Sequence, residues 1–396
     1  MKDRMISLDV FRGMTVGLMI LVNNPGSWSH VYAPLRHAKW HGWTPTDLVF
    51  PFFLFIVGVA MALSFGKRME AGADVAALKK KVWSRGAIII GFGLFLNAFP
   101  FNIPLNAQAA ADFEFLDIFR RFQTIRLVGV LQRIGLSYLI GGLIVLYFRK
   151  NRDRILAVGV LILIYEFFMR VPMLDGWGAG SFGLEDNFVR FLDVLILGEA
   201  HIYGGMGLPF DPEGLLSTLP AAATLMSGFW LGEYLRKPID HQEKLSNLSV
   251  VGIIVFFIGS MLSLIEPINK QLWTVSYVIT MDGLAIMMIV VSSYLIDVKK
   301  MNFWTKPAIV FGSNPLVVFV GSGIIGRLLV KIKWEAADGQ YVTLKGSIYN
   351  GLYTPYFSDL NASLLFAITF IMCWLGVFKL INKPIDFMFG AQFNQG

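Results

Sequence analysis

The chain has 396 residues, 55% hydrophobic and 15% charged, with a mean hydropathy of +0.61. Soluble domains carry about a quarter charged residues, so the composition excludes an ordinary soluble domain and indicates an integral membrane protein. The formal charge of +7 then reads as basic cytoplasmic loops, with no nucleic-acid partner expected.

A membrane crossing needs about 20 apolar residues in a helix. Ten stretches qualify, at 7–24, 46–66, 82–99, 124–148, 153–171, 213–236, 246–266, 273–296, 304–330 and 361–381. The expected fold is therefore all-α: a polytopic bundle of about ten transmembrane helices in a single domain over 1–396. The first stretch carries Asp9 and Arg12, and no small-residue cleavage site follows Val22. It reads as a retained helix rather than a signal peptide. Asp9 and Arg12 are three apart and share a helix face, where they either neutralise each other or leave Arg12 for a ligand. Asn23 and Asn24 end the stretch before Pro25-Gly26. They suit a helix stop, and equally a carboxamide that stabilises a developing oxyanion.

The connection 25–45 holds His30, His37 and His41 among Trp28, Tyr32, Trp40 and Trp43, and Asp47 opens the second stretch. Histidine titrates near neutrality and can act as a general base; the same residues also fit an interfacial aromatic belt. Their spacing matches no standard zinc pattern, so no metal is expected. Arg133 lies inside the fourth stretch, Asp282 inside the eighth and Arg327 inside the ninth. Such charges pair or line a cavity, and a guanidinium such as Arg12 or Arg133 suits the phosphates of a nucleotide-like donor. The connection 172–212 includes an amphipathic piece near Asn187 to Leu197. Ser313-Asn314-Pro315 breaks the ninth stretch, as tolerated where backbone lines a cavity. Cys373 is the single cysteine, which leaves no disulfide framework or thiolate site.

With the N-terminus inside, 20 of the 34 lysines and arginines fall on the cytoplasmic side and 11 on the other, the remaining three lying within spans. The positive-inside rule then places both termini in the cytoplasm. The three longest outward connections, 25–45, 100–123 and 172–212, make the outer face the expected substrate face. No Gly-rich phosphate loop, GxSxG, HExxH or CxxC occurs, which disfavours common ATP-driven pumps. The intramembrane charges and broken helix leave a transporter as the rival class.

Six ordered blocks add a resemblance: Arg4 to Asn24 (RMISLDVFRGMTVGLMILVNN), Arg36 to Gly58 (RHAKWHGWTPTDLVFPFFLFIVG), Gly129 to Ile140, Phe210 to Ala221, Asn269 to Ala285 (NKQLWTVSYVITMDGLA) and Phe311 to Ser322. Together they resemble the heparan-α-glucosaminide N-acetyltransferase family, of the transmembrane acyltransferase superfamily. The resemblance implies transfer of acetyl from cytosolic acetyl-CoA, a co-substrate, to the amine of a glucosamine-type acceptor across the membrane. It implies His37 as the active histidine and Asn23 as its companion, with Asp47 orienting an imidazole. Arg12, Arg133 and Asp9 become candidate acetyl-CoA contacts. His41 stands where lysosomal members carry asparagine. The expectation is a minimal bacterial-type version without their extra N-terminal lumenal domain and span. It would lie among lipids in the inner (plasma) membrane, with a homodimer as one assembly open to it. O-acetylation of an extracytoplasmic glycan is the other enzymatic reading.

Overall fold

The computed structural model describes residues 5–70, 72–105, 113–171, 173–174, 177–178, 180–336 and 339–385. Its helices are α1 (Ile6–Asn23), α2 (Val49–Glu70), α3 (Val75–Ala98), α4 (Asp117–Arg120), α5 (Val130–Tyr147), α6 (Asn151–Arg170) and α7 (Phe188–Leu197). They continue with α8 (Thr218–Leu235), α9 (His241–Leu262), α10 (Val275–Ser293), α11 (Thr305–Ser313), α12 (Pro315–Lys331), α13 (Leu344–Leu352) and α14 (Asp359–Ile385). Two antiparallel ribbons, β1 (Met173–Leu174) with β2 (Trp177–Gly178) and β3 (Lys333–Glu335) with β4 (Tyr341–Thr343), lie in the connections.

Six helices are long and apolar enough to cross a membrane, and α11 with α12, bent by 88° at Asn314, make a seventh if counted as one span. The other three expected stretches are also helical, as α3, α6 and α8, but fall short of that apolarity. Charges explain α3, with Lys79, Lys80, Lys81 and Arg85, and α6, with Arg152, Asp153, Arg154 and Glu166. α8 is different: 13 of its 18 residues are buried, so protein surrounds it and small or hydroxylated residues suffice. It packs so closely on α2 that a Cβ at Gly58 would stand 1.8 Å from the Leu225 carbonyl oxygen, and one at Gly228 would stand 1.9 Å from that of Phe55. Small residues at such crossings let backbones meet and gain dispersion energy where lipid offers no hydrophobic drive.

Local signals set the helix ends. Asp74 and Asp240 accept backbone N–H groups at the starts of α3 and α9, as does Asn187 for α7, satisfying donors a helix start leaves free. Asn24 closes α1, its side chain donating to the Ile20 carbonyl at 2.8 Å. Pro315 opens α12 after the bend.

Contacts sort the connections into two ends. Segments 24–48, 99–105, 113–129, 198–217 and 263–274 gather at one end, for example Gly42 N–H to Ile268 O (2.7 Å) and Leu127 N–H to His201 O (2.9 Å). At the other end Ser7 pairs with Asp297, Ser293 with His241, and Arg154 with Glu233. α1 starts at this second end and α14 runs toward it from Ser363, which bonds Ser27 at the first.

Candidate active site

Thr44-Pro45-Thr46-Asp47 forms the tight turn that leads into α2. Asp47 Oδ2 accepts the backbone N–H of Thr44, closing the turn, and that of Ala38, each at 3.0 Å. The Tyr277 hydroxyl donates to the Asp47 carbonyl at 2.6 Å. The carboxylate is fully buried; the turn holds Oδ2, to which the Thr44 hydroxyl also lies at 3.1 Å, and Oδ1 is left for other side chains. That oxygen, Oδ1, lies 2.6 Å from His37 Nδ1. The His37 side chain keeps 46% of its exposure, so the imidazole is anchored through Nδ1 and stays half-open, with Nε2 3.4 Å from Lys270 Nζ. An imidazole that donates Nδ1–H to a carboxylate presents Nε2 as a base.

The connection before α10 supplies a third member. Asn269 Nδ2 donates to the Trp40 carbonyl (3.0 Å), while Asn269 Oδ1 accepts Leu272 N–H (2.9 Å). This turn presents Lys270 Nζ at 3.3 Å from Asp47 Oδ1 and 2.9 Å from His37 Nδ1. The Lys270 side chain is only 13% exposed, and burial lowers its pKa against the opposing pull of Asp47. Lys270 was not among the residues nominated from sequence. It lies 233 positions from His37, and only its place in the Asn269 to Ala285 block could have flagged it.

His41 sits beside Asn269 at 3.4 Å, and His30 lies 3.5 Å from Asp359 on the surface. Of the three loop histidines, only His37 touches a buried carboxylate.

Asn23 lies elsewhere. It faces a cavity of about 420 Å³ between the end of α1 and α3, α5 and α12, walled also by Gln132, Asn97 and Arg327. Arg133, fully buried in the first turn of α5, donates to the Gly214 carbonyl and Ser217 hydroxyl and lies 5.0 Å over the Trp273 ring. It is thus at the His37 end, sealed behind Trp273. Arg12 pairs with Asp9 at 2.7 Å, farther along α1 toward the other end. The structure joins His37 to Asp47, sets Asn23 on the wall of a cavity that His37 does not line, and divides the nominated acetyl-CoA contacts between two places. Among the described residues no cluster of three or more potential ligands could hold a metal ion.

A family model described as "Heparan-alpha-glucosaminide N-acetyltransferase, catalytic" matches residues 4–264, which include His37, Asp47 and Arg133. The heparan-alpha-glucosaminide N-acetyltransferase of Mus musculus is 26% identical over 388 residues, covering 85% of this chain and 56% of the relative. That of Homo sapiens is 27% identical over 389 residues, covering 86% and 56%. The chain thus spans little more than half the length of these curated relatives. With most of its length inside the matched region, the chain belongs to the heparan-α-glucosaminide N-acetyltransferase family.

Proposed function

We propose that the protein is a membrane acetyltransferase that moves acetyl from cytosolic acetyl-CoA to the amine of a glucosamine-type sugar on the extracytoplasmic side. The observation that carries the reading is the His37–Asp47 pair, 2.6 Å apart, within the region matched by the family's catalytic model. His37 Nε2 takes the proton from the acceptor amine as its nitrogen attacks the thioester carbon. The C–N bond forms, the C–S bond breaks, and CoA leaves as the thiol once it gains a proton. Asp47 holds the imidazole and stabilises its protonated form. The ammonium of Lys270 offsets the charge of Asp47 between turnovers. Asn23 donates to the oxyanion of the tetrahedral intermediate from the cavity side. Arg12 with Asp9 contacts the donor on its way from the cytoplasm. Arg133 braces the wall behind Trp273.

The reading includes ten crossings formed by one domain over 1–396, both termini in the cytoplasm, and residence in a bacterial inner membrane. The test uses purified protein with radiolabelled acetyl-CoA and glucosamine. Wild type should transfer acetyl, and His37→Ala should fall by at least about 100-fold while keeping its melting temperature. Unchanged transfer in His37→Ala would remove the histidine from the mechanism. Solute movement without CoA release would replace the enzyme with a transporter.

A further inference from the structure

The cavity beside Asn23 carries the hydrogen-bond donors of Asn97, Gln132, Arg327 and Lys331, and among the described residues no aspartate or glutamate lines it. Gln132 is 3% exposed, yet its Nε2 has no acceptor among the described residues. A buried amide donor left unpaired costs about 1–3 kcal/mol, so its position is accounted for if a ligand supplies the acceptor. Among the described residues Arg327 donates only to the Gly323 carbonyl of its own helix, at 3.1 Å. Among the described residues, the charges that bear on it are Arg121 and Arg126, both positive. Arg126 is neutralised by Asp211 and Glu213, and Arg121 is turned to the Asn97 carbonyl. Arg327, with no carboxylate partner among the described residues, therefore brings a positive charge to the cavity wall, with Lys331 beside it. The other amides are occupied or free in a telling way. Asn97 and Asn24 spend their N–H groups on backbone carbonyls, whereas the Asn23 side chain has no partner among the described residues and is exposed toward the space.

We propose that this cavity is an oxyanion subsite: Arg327 and Gln132 hold a carboxylate, sulfate or phosphate carried by the acceptor sugar. The assignment to the acceptor rests on the function proposed above. A donor entering from the opposite end leaves its phosphates there, and the cavity lies at the end that carries His37. A guanidinium and a carboxamide together offer the planar donor array that suits such groups. The enzyme then prefers amino sugars bearing an oxyanion over neutral ones.

The experiment has two readouts. Without donor, glucosamine 6-phosphate should raise the melting temperature of the purified protein more than glucosamine does, and Arg327→Gln should abolish the difference. In turnover, the kcat/KM ratio of glucosamine 6-phosphate to glucosamine should fall about tenfold in Arg327→Gln. Gln132→Glu, which keeps side-chain size and adds a repelling charge, should lower the same ratio further. A ratio unchanged in both variants overturns the proposal. So does a defect that instead tracks the donor, with acetyl-CoA weakened but S-acetyl-pantetheine unaffected, because the oxyanion would then be the donor's phosphate. Absence of transfer to any sugar, with the melting-temperature difference intact in wild type and lost in Arg327→Gln, would leave the subsite standing and sink the acetyltransferase reading.

Discussion

One imidazole nitrogen at the site has two suitors. His37 Nδ1 lies 2.6 Å from Asp47 Oδ1 and 2.9 Å from Lys270 Nζ, but a single ring nitrogen either donates or accepts. Donation to Asp47 leaves Lys270 to serve the carboxylate, 3.3 Å away, and frees Nε2 for chemistry. The ammonium form of Lys270 is then the working one. Burial lowers its pKa below the ordinary lysine value, so rising pH removes the ammonium earlier than at an exposed lysine, and activity falls with it. Lys270→Met should cut kcat by roughly tenfold to a hundredfold and lack this alkaline limb. Lys270→Arg, charged throughout, should recover most of the rate and move the limb to higher pH. A pH profile of kcat/KM checks both, and a wild-type profile in Lys270→Met would exclude Lys270 from the mechanism. His37 and Asp47 were legible because one short segment holds them and its polarity is costly at a helix mouth. Lys270 was not, because nothing in a lone lysine announces which distant carboxylate it will meet.

Among the elements, the bend at Asn314 and the amphipathic helix α7 could be read from sequence, since Pro315 and an apolar stripe are local signals. What α7 docks against could not. Its Asp193 is fully buried, with Oδ1 accepting Leu215 N–H at 2.8 Å and Oδ2 without a partner among the described residues. Gly214 leaves room for it, since a Cβ there would stand 1.8 Å from Oδ2. Burial pushes this carboxyl up to about 7, opposed by the Leu215 N–H and assisted by Asp211. The folded state thus keeps a proton between about 4 and 7 that the unfolded chain has lost. The stability this proton contributes is full below pH 4 and disappears as pH rises through 7. The span of about three pK units corresponds to at most about 4 kcal/mol. Asp193→Asn, which cannot ionise, should melt with a flatter pH dependence over that window and exceed wild type in melting temperature at pH 8. Parallel thermal melts at pH 5 and pH 8 decide it; an identical pH slope in the variant would mean that Asp193 ionises freely in the folded protein.

For the whole molecule, the proposed reaction requires that donor and acceptor meet from opposite sides, which turns orientation into a chemical question. Ser29 is exposed in the connection that carries His37, and Gln242 is exposed at the start of α9, at the other end. The charge bias places the basic segments 67–85, 149–154 and 236–244 at the Gln242 end, and a bias of this kind orients helices during insertion. Sequence could reveal this two-sidedness because charge excess is counted over loops without knowing which loops touch. It could not reveal that segments 24–48 and 263–274 close over one another at the His37 end, since that depends on side-chain pairing across the bundle. Cys373 is the single cysteine in the chain, so Cys373→Ala gives a background for single-site labelling. In intact cells a membrane-impermeant maleimide should label Ser29→Cys and leave Gln242→Cys untouched until the membrane is permeabilised. The reverse pattern would put His37 in the cytoplasm with acetyl-CoA. Transfer would then need no passage of acetyl across the bilayer, and an extracytoplasmic acceptor would be out of reach of the imidazole.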